Sequence, residues 1–269
     1  MFNRQKQQFK EMVEKAEPIT TAEQPDEQEV NPEAQEEAQI ESTDYSYAAY
    51  EQEFSGERWI QQLKSLAENP EKLDTQIYVS MLFECTNMLK KWGSAMYMAF
   101  SDISSKASIL KRNIDVYKHE FQETHESLQQ TILKEIELKL TTLCAEKNKH
   151  QGKNARFAFE ATYTSTSRTV LRTLWFLDFL SMFFAMANKD RTVHLSHCAK
   201  EAYAQCLGPH HTWVVRQAAK VGMYACPGRE VILESTKLSY ENISELTEYV
   251  DKIRASLWEL FKAKKIDNL

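Results

Sequence analysis

The chain has 269 residues, 42% of them apolar and 27% charged, with a formal net charge of −6, which is apolar mass enough for a large core and excludes a wholly disordered protein. Six glycines and six prolines are all that punctuate it, so a turn-rich all-β fold is excluded and long helices are favoured. The five cysteines, Cys85, Cys144, Cys198, Cys206 and Cys226, form no CxxC or CxxxC pattern; they read as buried free thiols in a reducing compartment, not as zinc ligands.

The N-terminal stretch "MFNRQKQQFKEMVEK" has no apolar centre of the signal-peptide kind, so a cytosolic protein is expected. Residues 1–57 carry 15 acidic and 4 basic side chains, a net of −11, which leaves +5 for the remainder of a chain whose total is −6. With three prolines in "AEPITTAEQPDEQEVNPEAQEEAQIESTD" and few large apolar residues, this part cannot offset its ordering entropy. It is predicted to be a disordered acidic tail that solubilises the chain or contacts a partner. A mildly basic folded domain is expected over 58–269. That charge suits an anionic surface, and nothing in it calls for nucleic acid.

Within that domain apolar residues recur at helical spacing. The pattern predicts helices near 57–68, 73–91, 93–112, 115–147, 156–187, 190–207, 210–225 and 229–262, the last broken near Tyr240. The breaks fall at Asn69-Pro70, Gly93, "NKHQGKN" at 148–154, Asn188-Lys189-Asp190, Gly208-Pro209 and Cys226-Pro227-Gly228. No strand alternation, phosphate-binding glycine loop, GxSxG elbow or HExxH motif is present, so neither cofactor nor metal is expected.

Three stretches carry chemistry. "FSDISSKASIL" sets Asp102 and Lys106 at i and i+4, the spacing of an intrahelical ion pair. "SRTVLRTLWFLDFLSMFF" opens with Arg168 and Arg172 on one helical face that continues through Trp175, Phe179 and Phe183, with no carboxylate three or four residues away. From Val170 to Ala187 only Arg172 and Asp178 are charged. Each such charge costs about 2.5–3.5 kcal/mol at mid-membrane, so a buried central helix is the better reading. "LGPHHTWVVRQAA" places His210, His211 and Trp213 at a helix start after a Gly-Pro break.

In this order the three stretches, the third continuing as "KVGMYACPGREVILE", resemble the glycolipid transfer protein superfamily, and more closely its ceramide-1-phosphate branch, over roughly 75–265. The resemblance implies an all-α two-layer sandwich of about eight helices enclosing an apolar lipid pocket. It implies that Asp102 takes the ceramide amide N–H and His211 its carbonyl, and that Lys106, Arg168 and Arg172 hold the phosphate. Trp213 is then an interfacial anchor in transient contact with the membrane. Thr212 stands where the family has proline, and the acidic tail is extra. The chemistry agrees: a phosphate monoester carries about −1.5 to −2 charges and suits three cations, whereas a sugar wants neutral donors and an aromatic platform. The function implied is intermembrane transfer of a phosphorylated sphingolipid, without covalent chemistry. A glycolipid carrier, a lipid-sensing module, and a lipid phosphatase or phospholipase using His211 as base remain open alternatives.

Overall fold

Short polar side chains set where the helices begin. In the computed structural model, which describes residues 52–121, 127–145, 159 and 162–269, Ser55 accepts the Arg58 N–H at 3.2 Å, Asp74 that of Ile77 at 2.8 Å, and Ser165 that of Arg168 at 3.1 Å. Ser127 and Ser239 form reciprocal capping boxes with Gln130 and Asn242. Each cap satisfies an amide that the first turn leaves without an intrahelical partner.

Among the described residues there are ten α-helices: α1 Gly56–Glu68, α2 Thr75–Lys91, α3 Ser94–Ala99, α4 Ser101–Glu120, α5 Leu128–Leu138, α6 Thr166–Lys189, α7 Leu195–Cys206, α8 Trp213–Tyr224, α9 Arg229–Thr236 and α10 Tyr240–Lys264. No strand occurs among these residues beyond the single bridge Asp74–Ser127. The predicted 93–112 helix is divided at Phe100, and α4 then runs on to Glu120. The predicted 115–147 helix gives way to α5, which the Ser127 box starts and Lys139, left-handed at φ 57°, ends. Lys237 at φ 56° and the Ser239 box make the expected break before Tyr240. Parts of the predicted helices, the "NKHQGKN" turn and residues 1–51 of the expected tail lie outside the described residues. Of that tail, Phe54 is buried and meets Trp59 edge-on at 6.2 Å, so the packed domain starts before Arg58.

The helices form two layers. In one, α1 lies against α10, α10 against α6 and α6 against α7; in the other, α4 and α3 pack on α2, and α8 on α3. Contacts between α1 and α2, α4 and α6, and α7 and α8 join them. Gly222 allows α8 to approach α3, because a Cβ there would stand 2.5 Å from the Ala99 Cβ.

Between the layers runs a column of rings. Phe100 meets Phe176 at 5.7 Å and Phe179 at 5.0 Å, Phe179 meets Phe183 at 6.0 Å, and Phe183 meets Trp92 at 5.9 Å. Each buried ring is worth about 1.5–3 kcal/mol in transfer from water. By length and composition α6 could cross a membrane, but two thirds of its apolar stretch is buried inside the protein. Its one mid-helix acid, Asp178, is held by Arg254 at 2.8 Å and by the Trp258 indole N–H at 3.0 Å from α10. All five cysteines are free thiols; three are buried and Cys206 and Cys226 are half-buried.

Candidate functional site

Two landmarks fix how α4 and α6 run past each other. Phe100 touches Phe176 and Phe179 at one end, and the Asn113 side-chain amide donates to the Thr166 hydroxyl at 3.0 Å at the other. The helices are therefore antiparallel, with Lys106 level with Arg172 and Asp102 level with Trp175. Spacing along two different helices thus converges on one end of the aromatic column.

The four charged residues are set differently. Lys106 is 6% exposed and makes an ion pair with Asp102 at 3.0 Å, while the Asp102 side chain is about half-exposed at 48%. A lysine is seldom buried so deeply, because its ammonium loses hydration that one carboxylate does not fully replace. Arg168 and Arg172 are half-buried. The Arg172 guanidinium folds along its own helix, donating to the Arg168 carbonyl at 3.2 Å and lying 5.7 Å from the centre of the Trp175 ring. Among the described residues no carboxylate pairs with Arg168.

What anchors the start of the arginine helix was not foreseen from sequence. Glu135 of α5 is fully buried beneath the first turn of α6 and accepts from the Thr166 and Ser167 amides at 2.6 and 2.7 Å. It accepts also from the Ser165, Ser167 and Tyr163 hydroxyls. Burial pushes its pKa above the ordinary carboxylate range, while the donors from Ser167, Tyr163 and Thr166 pull against that rise. A carboxylate at a helix N-terminus satisfies orphan amides and complements the positive end of the dipole. The donor-rich run Ser165-Thr166-Ser167 is the sequence signal that such an acceptor is needed.

His210 ends the short 3-10 turn Gly208–His210 between α7 and α8, and His211 follows it in extended backbone. His211 Nδ1 lies 2.8 Å from the Tyr203 hydroxyl, and burial pushes that phenol up to about 12. His210 is stacked flat on Trp175, with ring centres 3.6 Å apart and planes 2° from parallel. Neither Tyr203 nor this stack was anticipated. Thr212 caps nothing with its hydroxyl, yet its φ of −64° is the value that proline would fix. The replacement therefore leaves the start of α8 in a proline-like backbone.

Trp213 is 63% exposed on the first turn of α8, beside Val214. Arg216 and Lys220 continue along the same helix, both exposed, towards Tyr224. Among the described residues no group of three His, Cys, Asp or Glu side chains is placed to hold a metal ion.

An all-helical two-layer sandwich, polar at one end of an apolar interior, defines the glycolipid transfer protein fold. The solved structure of human ceramide-1-phosphate transfer protein in complex with 12:0 ceramide-1-phosphate aligns with a TM-score of 0.65 at 21% identity, covering 78% of this chain and 97% of that one. The family model for glycolipid transfer protein (GLTP) matches residues 73–238, and the chain belongs to that family. Ceramide-1-phosphate transfer protein of Rattus norvegicus is 32% identical over 95 residues, 33% of this chain and 44% of the rat protein. The Mus musculus protein of the same name is 26% identical over 174 residues, 61% of this chain and 73% of its own length.

Proposed function

We propose that this chain carries ceramide-1-phosphate between membranes, binding the headgroup with Asp102, Lys106, Arg168, Arg172 and His211 and the hydrocarbon chains between its helical layers. The observation that carries the reading is the buried Lys106 at the level of Arg172 across the α4–α6 seam. Three cations near one point suit a phosphate monoester and leave a neutral sugar with donors it cannot use. Family membership and the names of the relatives support the lipid class.

The remaining groups fit a ceramide amide. Asp102 faces solvent with half its surface, and a carboxylate has lone pairs enough to keep Lys106 and accept an amide N–H. We assign the Tyr203 phenol as the donor to Nδ1 of His211, the tautomer that puts the imidazole proton on Nε2, the atom we assign to the amide carbonyl. No bond is made or broken, so the chain acts as a carrier. Trp213 and Val214 would enter the interface while the lipid is lifted. Burying a sixteen-carbon chain offsets on the order of 12 kcal/mol at about 0.8 kcal/mol per methylene, which is why extraction needs an apolar sleeve. We place such a carrier in the cytosol, in passing contact with membranes.

Competition against fluorescent ceramide-1-phosphate tests the reading. Unlabelled ceramide-1-phosphate should compete at least about 10- to 100-fold better than galactosylceramide, since each unsatisfied cation costs about 1–3 kcal/mol and 1.4 kcal/mol is tenfold. Equal competition would overturn the phosphate assignment in favour of a glycolipid carrier. Binding with no transfer between vesicles would make the protein a sensor.

A further inference from the structure

Resting on that reading of the headgroup site, we propose that His210 is a second histidine of the site, a proton-dependent contact to the lipid phosphate that Trp175 mounts on the arginine helix. Its ring lies flat on the Trp175 indole at 3.6 Å. Trp175 is one turn along α6 from Arg172, whose guanidinium stands 5.7 Å from the same indole. His210 and Arg172 therefore share one aromatic support, and an anion bound by Arg172 comes within reach of the imidazole. His210 is exposed, and no described residue makes a hydrogen bond to either of its ring nitrogens. His211, by contrast, is engaged at Nδ1 by Tyr203.

The charges around His210 set the direction. On α6 it faces Arg172 and, more weakly, Asp178, which Arg254 and Trp258 of α10 already hold. On α7 the titratable groups on this side are Cys206, which feels the same Asp178, and the Tyr203 phenol, which holds the neighbouring His211 and is itself acted on by Arg216 of α8. Desolvation and then the Arg172 charge keep His210 below the ordinary histidine range, against a smaller pull from Asp178. A phosphate held by Arg172 cancels the repulsion and adds an attraction, while an imidazolium gains cation–π stabilisation from the indole. Binding phosphate thus favours protonation, and by reciprocity protonation favours binding. The stack keeps the ring in place in both states.

The test uses the full chain and fluorescent ceramide-1-phosphate in phosphatidylcholine vesicles. From pH 8.0 to 6.5 wild-type affinity should rise by about three- to tenfold, a full unit of pKa shift being worth tenfold. His210→Gln should flatten that rise, Trp175→Phe should keep it, and Trp175→Leu should lose it. Calorimetry at pH 7 in two buffers of different ionisation enthalpy should show partial proton uptake by wild type and none by His210→Gln, a difference that a merely structural role would not produce. In the wild-type NMR spectrum the His210 ring signal should titrate at higher pH with lipid than without it. An unchanged titration, or equal slopes for wild type and His210→Gln, would overturn this proposal alone. No binding of ceramide-1-phosphate at any pH would overturn the headgroup reading with it.

Discussion

A single carboxylate oxygen of Glu135 accepts both the backbone N–H and the hydroxyl of Ser167, the former at 2.7 Å, immediately before the first of the two arginines. The first turn of α6, from which Arg168 and then Arg172 project, thus rests on a buried residue of another helix. Removing it as Glu135→Ala would leave several buried donors without an acceptor, each costing about 1–3 kcal/mol. Melting should fall by ten degrees or more, and the surviving protein should extract lipid poorly. A melting temperature within two degrees of wild type would show that the donors find other partners.

Arg168→Leu and Arg172→Leu should separate function from folding. Both arginines are half-buried, and charges in such positions contribute little to stability. Each variant should lose at least about tenfold in transfer, the loss of one charge-assisted contact of about 1.5–3 kcal/mol, while circular dichroism melting stays near wild type. Undiminished transfer by either would remove that arginine from the site.

The lipid-free protein should weaken on acidification through His210. Burial and the Arg172 charge hold its pKa below the ordinary histidine value of about 6.5, so as pH falls the unfolded chain takes the proton before the folded one. Stability from this group is complete above 6.5 and is lost on descending through the lowered value. His210→Gln should therefore flatten the melting temperature between pH 6.5 and 5. An identical acid slope would assign the loss to other groups.

Trp213 should report landing on a membrane. Being 63% exposed, its indole should shift to the blue when anionic vesicles are added, and Trp213→Phe should remove the shift and slow transfer several-fold. If the shift persists in the variant, another of the five tryptophans is responsible.

Truncation should distinguish the two sides of Phe54. Deleting 1–57 removes the buried Phe54 ring and the Ser55 cap, at a cost of about 3–5 kcal/mol for the ring and about 1 kcal/mol for the cap. Deleting 1–51 should leave melting unchanged. Equal melting of the two truncations would mean that Phe54 contributes nothing measurable to the core.

Local spacing made much of this legible. Asp102 with Lys106 and Arg168 with Arg172 are each four residues apart, and helical periodicity alone puts each pair on one face. The division at Phe100 was not legible, because "SAMYMAFSDISSK" has no glycine or proline to announce it. The packing of the Phe100 ring against both Phe176 and Phe179 overrides the local preference there. Glu135, Tyr203 and the Trp175–His210 stack were hidden for a related reason. Each meets its partner through the packing of separate elements or a turn, which one strand of letters does not encode.

The burial of α6 by α10 bears on how the protein is made. Fifty residues separate Lys189 from Tyr240, so a ribosome adding about 5–20 residues per second finishes the most apolar helix roughly 3–10 s before synthesis of its cover begins. Over that interval the nascent chain displays a segment that a membrane or a chaperone would bind readily. Asp178 marks that face with a charge until Arg254 arrives to neutralise it, and such a gatekeeper discourages premature insertion and aggregation.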